Sequence, residues 1–243
     1  YASGSGTTEL VFTYTILANQ TDTDGISVDA NALSLNSGTL TDVAGNTATI
    51  TSVAVAANNS YLVDTTAPTK PGTPDLDINS DTGSSGSDDI TTDTTPTVTG
   101  SGQTEGDTIT LTSVVDGSVG TAVVANDGTW SITASALTVG TQSLTVTATD
   151  AAGNVSTPSD ALAITVDTTA PTVSSIAITG ATGALASTLN AGDVVSATVT
   201  MDSNTVVTGA PQLALNIGGT TVQASYASGS GTTELVFTYT ILA

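Results

Sequence analysis

Eighteen consecutive residues, Tyr1 to Ala18, recur without a change as Tyr226 to Ala243, and this identity constrains the architecture of the whole chain. Chance does not produce such a match, so the sequence reads as one full period of a tandem array, 225 residues long, plus an overlap. A shorter repetition divides that period. The segment Val63-Asp-Thr-Thr-Ala-Pro-Thr69 returns as Val166-Asp-Thr-Thr-Ala-Pro-Thr172. In each copy the proline fixes its own φ and holds the preceding alanine extended, giving a short, stiff connector. The expected organisation is therefore a C-terminal part of one domain at 1–63, a linker at 64–69, a complete domain at 70–166, a linker at 167–172, and an N-terminal part of the next domain at 173–243. Residues 172–243 and 19–63 then belong to one domain cut in two.

Hydrophobic residues make up 38% of the chain but aromatics only 3%, so any core must be built from Val, Ile, Leu and Ala. With abundant Thr, and with 24 Gly and 7 Pro as punctuation, that composition argues for short strands. Alternation predicts strands at Glu9–Leu17, Ile26–Ala30, Ala32–Leu35, Thr49–Val55 and Tyr61–Val63, with a polar loop at Asn19–Gly25. In the central stretch an edge strand is expected at Lys70–Pro74, then strands at Thr97–Gly100, Thr108–Val115, Thr121–Ala125, Thr129–Thr133, Ser143–Thr149 and Ala161–Val166. Asn126-Asp127-Gly128 signals a tight hairpin. Beyond the second connector, Ser175–Thr179, Asp193–Met201, Gln212–Ile217 and Thr221–Ala227 precede the repeated strand. The fold class is all-β: Greek-key β-sandwiches in series.

Lys70 is the only basic residue against 22 acidic ones, a net charge of −21. Nucleic acid and anionic membranes are not expected partners, because like charges repel and there are no basic groups to displace counter-ions. There is no Cys and no His, which removes disulfides, zinc sites and the usual general bases; no enzymatic activity is expected. No apolar run approaches transmembrane length and no charged-then-apolar leader opens the sequence, so direct membrane insertion is not expected.

Something must nevertheless neutralise the acids, of which nineteen are Asp, many beside Gly, Asn, Ser or Thr. Calcium, which takes six to eight oxygen ligands, suits such loops; a solvated acidic surface is the alternative. Thr41-Asp-Val-Ala-Gly-Asn46 and Thr149-Asp-Ala-Ala-Gly-Asn154 are one motif in two otherwise different domains, each one strand before a connector. The last strand separates Asp150 from Asp167, so these acids lie at opposite poles, and the loop of Asp150 must face Asp64. The loop with Glu105 and Asp107, and the turn at Asp127, fall on that same pole. Two unit charges about 4 Å apart repel by about 4 kcal/mol at an effective dielectric of 20, and a calcium ion reverses the sign. The candidate ligands are Asp42, Asp64, Asp107, Asp150 and Asp167 at the joints, with Asp81, Asp88 and Asp89 in the acidic loop 77–93, where Gly83 and Gly86 permit a tight path. Ordinary Asp-Gly turns without an ion remain the competing reading. Asp22-Thr-Asp24-Gly25 lacks the later EF-hand positions and reads as a turn, and Trp130 reads as core rather than as a sugar platform.

Asp64-Thr-Thr-Ala-Pro68, Thr149–Asn154, Ser80-Asp-Thr-Gly-Ser84, Asp88-Asp89-Ile-Thr91 and Thr95-Pro-Thr-Val-Thr-Gly100 together resemble the tandem bacterial Ig-like repeats of giant surface adhesins. The resemblance covers the whole chain and implies immunoglobulin-like sandwiches forming the stalk, or extender, of a repeats-in-toxin type adhesin active in biofilm formation. It further implies type I secretion, an extracellular location on a bacterial cell surface, and calcium near domain junctions that stiffens a rod of adjacent repeats. The calcium-binding nonapeptide of that group is absent, so the secretion route follows from the family alone. Two rival functions stay open: a module holding a sugar, ice or a partner protein, and a subunit self-associating into filaments or a surface layer.

Overall fold

The computed structural model describes residues 1–242. Among them there is no helix, and none therefore long and apolar enough to cross a membrane. The chain divides into two compact units, Tyr1–Val166 and Asp167–Ala243.

The first stretch carries little regular structure. Strands β1 (Thr21–Asp22) and β4 (Val63–Asp64) pair with each other, as do β2 (Ile26–Val28) and β3 (Val55–Asn58). The strand expected over Glu9–Leu17 does not form, nor does the one over Ala32–Leu35, and β1 falls inside the expected loop. The physical reason is pairing: alternation supplies an apolar face, but a strand also needs a neighbour for its backbone groups. Val11 meets only Ser3, in a single bridge, Leu10, Phe12, Tyr14, Ile16 and Leu17 lie in no strand pair, and all six are exposed.

The central sandwich contains β5 (Asp75–Leu76), β6 (Ile90–Thr91), β7 (Thr97–Gly100), β8 (Thr108–Ser113), β9 (Gly117–Val123), β10 (Trp130–Thr133), β11 (Gly140–Thr149) and β12 (Leu162–Val166). One sheet has the order β10-β7-β5 and the other β6-β12-β11-β8-β9. All pairs are antiparallel except β6 with β12. Alternate residues point inward, as a pleated strand dictates. Ile109, Leu111, Leu144, Val146, Ile164 and Val166 from the larger sheet meet Val98, Trp130 and Ile132 from the smaller. The expected edge strand begins just later, at Asp75, because Pro71 and Pro74 have no N–H to donate. Strand β6 lies inside the acidic loop, where alternation predicts no strand. The Asn126–Gly128 turn forms, with Gly128 at φ 79° donating to the Ala125 carbonyl, but it passes the chain from one sheet to the other.

Trp130 lies in the core directly over Gly100, whose missing side chain makes its place: a Cβ there would run into the indole ring. Gly100→Ala is expected to cost the central sandwich about 1–3 kcal/mol through overpacking, read as a lower urea midpoint in tryptophan fluorescence.

The second unit contains β13 (Val173–Thr182), β14 (Val194–Thr205), β15 (Gln212–Ile217), β16 (Thr220–Ser228) and β17 (Thr232–Thr240), in one antiparallel sheet ordered β13-β14-β17-β16-β15. Register places Ile178, Ala197, Phe237 and Tyr226 in one row, and Ile176, Val199 and Leu235 in the next. That face is apolar, whereas the opposite face carries Ser175, Thr198, Thr238 and Ser225. The buried set is small: Ala197, Val199, Ala224, Leu235 and Phe237.

The repeated segment thus occurs in two environments. Its turn is the same in both: Ser5 N–H donates to Tyr1 Oη at 2.5 Å and Ser230 N–H to Tyr226 Oη at 2.6 Å, while Gly4 and Gly229 both have φ 107°. The edge-to-face ring pair is preserved too, at 5.9 Å for Tyr1–Phe12 and 5.8 Å for Tyr226–Phe237. Only the second copy is paired into a sheet. The turn is encoded locally, and the strands are not.

Candidate metal centres

The acidic loop leaves β5 by a turn in which Ser80 and Asp81 N–H both donate to the Asp77 carbonyl, at 2.8 and 3.0 Å. Buried Thr91 pins it by donating to the Ser80 carbonyl at 2.5 Å. This draws Asp81 inside, to 7% exposure, with Oδ2 accepting from Asp89 N–H at 3.3 Å and Oδ1 without a partner. Asp89 sits at φ 56°. Burial pushes its pKa up, and the neighbouring charges of Asp81, Asp75 and Asp88 add to the effect. Asp88 folds against Gly83, where a Cβ would stand 2.8 Å from Asp88 Oδ1. The expected set Asp81, Asp88 and Asp89 is therefore gathered on one loop. Asp75 joins it from β5, although its place beside the expected edge strand marks it for no such role.

The second concentration of acid is set by sheet register. Thr108 pairs with Thr149, so Asp107 and Asp150 lie side by side at one end of the larger sheet. Asp107 is 6% exposed, its Oδ2 has no partner, and burial followed by the Asp150 charge raises its pKa. Gln103 Oε1, buried in the loop before it, is also unpartnered. Gln103 carries no acidic signal and could not have been picked out by charge.

Asp150 behaves differently. Its Oδ1 and Oδ2 accept from Asn154 N–H and Nδ2, both at 2.8 Å, and Gly153 takes φ 89°. The Asn154 side-chain bond leads in lowering its pKa. Asp42 repeats the arrangement with Asn46 at 2.8 and 2.7 Å, with the same lowering, and Gly45 takes φ 91°. The shared motif is thus a self-closing turn, held by its own carboxylate. It also meets the connector as expected: Asn154 Nδ2 donates to the Asp64 carbonyl at 3.1 Å. The Asp64 carboxylate itself accepts from Thr66 N–H, and that of Asp167 from Thr169 N–H, each at 2.9 Å. Asp167 follows β12, whose Val166 pairs with Gly140 at the end of β11 away from Asp150. Asp42 is not joined by other acids. Asp22 closes the expected turn, accepting from Gly25 N–H at 2.8 Å.

The sole basic side chain, Lys70, is engaged with Asp160 at 2.7 Å. Neither acidic cluster therefore has a protein cation beside it. Among the described residues, no three acidic side chains converge as a ready-made metal cage. What they present is oxygen donors of the hard type calcium takes, three of them on buried, unpartnered atoms: Asp81 Oδ1, Asp107 Oδ2 and Gln103 Oε1. In donor type, the residues fit that ion.

Two facing sheets with connections crossing between them define an immunoglobulin-like β-sandwich. Residues 66–168, which contain the central sandwich, match the family model of the bacterial Ig-like domain. No curated protein matches the chain. Among solved structures, one described as a Ca2+-stabilized adhesin that helps an Antarctic bacterium reach out and bind ice is 22% identical, with a TM-score of 0.40, over 90% of this chain and 57% of that one. A 1.5-MDa bacterial ice-binding adhesin is 22% identical at a TM-score of 0.33, over 83% of this chain and 61% of that one. The BSP domain of a biofilm-associated protein is 25% identical at a TM-score of 0.27, over 49% and 16%. The chain spans less than two thirds of each of them.

Proposed function

We propose that this chain is an extender segment of a large bacterial cell-surface adhesin, a structural rather than catalytic element in which calcium holds successive sandwiches in line. The observation that carries the reading is Asp107: a buried carboxylate with an unpartnered oxygen, beside Asp150, at the pole where Asn154 grips the Asp64 connector. Asp107, Asp150, Gln103 and the Asp64 carbonyl would hold an ion at the joint; Asp81, Asp88, Asp89 and Asp75 would hold one in the loop. The ion would supply positive charge that the protein lacks. Asp42 and Asp167 would serve the corresponding joint of the neighbouring domain. Calcium concentrations suited to ligand sets of this kind are extracellular, which agrees with a location outside the cell and adjacent repeats as the first partners.

Stiffening follows by linkage, because an ion that binds the aligned joint better than the bent one shifts the population toward it. Small-angle scattering of a chain of several repeats is expected to give a larger maximum dimension in millimolar calcium than in chelator. Equal dimensions would refute the stiffening role. Self-association is a second reading, favoured by the open sheet of the second unit.

A further inference from the structure

The two connectors leave the central sandwich at opposite ends. Asp64 is held beside Asp150 through Asn154, whereas Asp167 follows β12 at the end where Val166 pairs with Gly140. A pull on a tandem array therefore reaches the sandwich at its two poles, along the strands. In the larger sheet β6 comes first in the chain and β12 last, and this is the pair that runs parallel, with Ile90 opposite Thr165 and Thr91 opposite Val166. Tension from the Asp64 side draws β6 back toward that pole, while tension on Asp167 draws β12 out of the other. The two strands are driven to slide past one another. In that direction the bonds between them share the load and must break together, whereas an antiparallel pair pulled from its open end loses its bonds one at a time.

Load passes through β5, which meets β7 over only Asp75 and Leu76 at the edge of the smaller sheet, and on into the acidic loop. That loop is fastened to β6 and the residue after it. Thr91 donates its hydroxyl to the Ser80 carbonyl at 2.5 Å, and Thr92 N–H donates to Thr82 Oγ1 at 2.8 Å. Across the pair itself, Thr165 N–H donates to the Asp89 carbonyl at 2.8 Å. Thr91 and Val166 are buried, so water is kept from taking over these bonds as they stretch. We propose that the parallel pair β6–β12 is a tension-bearing clamp, which gives the central sandwich a further function: resisting unfolding when the array is pulled at its joints. The clamp rests on the extender reading, since only a tethered chain is pulled there. It needs no ion, because every bond named here joins protein atoms.

The test is single-molecule force measurement on the full chain in chelator. The chain has no Cys, so introduced cysteines give unambiguous attachment points. One pair, Thr66→Cys with Thr168→Cys, pulls at the joints and loads the clamp in shear. The other, Val139→Cys with Thr168→Cys, pulls β11 and β12 apart from their Gly140–Val166 end. Released lengths of roughly 35 nm and roughly 10 nm, at about 3.4 Å per residue, identify the two events. Forced unfolding is governed by the barrier in the pulled direction, and the first direction is expected to need at least twice the force of the second at equal loading rate. Thr165→Pro removes the N–H that reaches Asp89 and none that reaches β11, because a strand N–H points to one neighbour only. It is expected to lower the joint-to-joint force by at least a third while circular dichroism reports a folded chain. Equal forces in the two directions, or a folded Thr165→Pro protein as strong as its parent, would overturn the clamp; if the proline prevents folding, the two directions decide alone. Scattering in calcium tests the extender reading separately, so either can fail without the other.

Discussion

Removing calcium is expected to lower the thermal midpoint of the central sandwich by about 10–20 °C. At roughly 1 mM calcium, with a dissociation constant on the order of 0.1 mM as for extracellular modules, one ion contributes about 1.4 kcal/mol, and two sites about 3. Each kcal/mol moves the midpoint of a domain near 100 residues by about 4–8 °C. Asp107→Asn separates the ion from simple charge relief. In chelator the substitution should raise the midpoint, because burial and the charge of Asp150 both work against the ionised carboxylate. In calcium the same substitution should remove about half of the calcium increment. Scanning calorimetry of both proteins in both conditions reads all four values. If calcium moves neither protein, the acidic poles do not hold it.

The opposite responses have a common origin. A carboxyl whose folded pKa is raised, such as Asp89 or Asp107, works against the fold while it is ionised, and that opposition is relieved as pH falls through the folded pKa toward the ordinary value. Asp150 and Asp42, whose pKa values are lowered by their asparagine bonds, contribute stability above the ordinary value and lose it as pH falls through the folded one. The acids thus divide into those that close turns and those that lack a partner.

The sequence marks Asp42 and Asp150 by their shared motif, but not that the motif's own asparagine satisfies their carboxylates while Asp81 and Asp107 each keep an oxygen without a partner. Strand β7 falls at Thr97–Gly100 and β15 at Gln212–Ile217, where alternation places them: β15 has its partner β16 directly after it in the chain, and β7 is held between β10 and β5. The pole at Asp107 is legible because the count of strand crossings determines which loops share an end. Gln103 is not, since its interest lies in a buried oxygen with no partner rather than in charge. Strand β6 is hidden because its two residues pair parallel to β12, more than seventy positions away. The clearest failure is Glu9–Leu17, whose residues return as Glu234–Leu242 and there contribute to β17. No reading of those residues alone could have separated the two outcomes.

The same substitution in the same sequence should therefore have two costs. Phe237, 6% exposed, pairs across β17 with Ala197 and Tyr226, whereas Phe12, 54% exposed, keeps its ring pair with Tyr1 but lies in no strand. Phe237→Ala is expected to cost the second unit about 3–5 kcal/mol, since it opens a hole in a core with few other members. Phe12→Ala should change stability by less than about 0.5 kcal/mol, as an exposed position does. Urea unfolding followed by circular dichroism reads the second unit, and fluorescence of Trp130, the single tryptophan, reads the central sandwich and should move in neither variant. Equal costs at the two positions would mean that the first copy is paired in solution, and that the strand depends on its own residues more than on its neighbours.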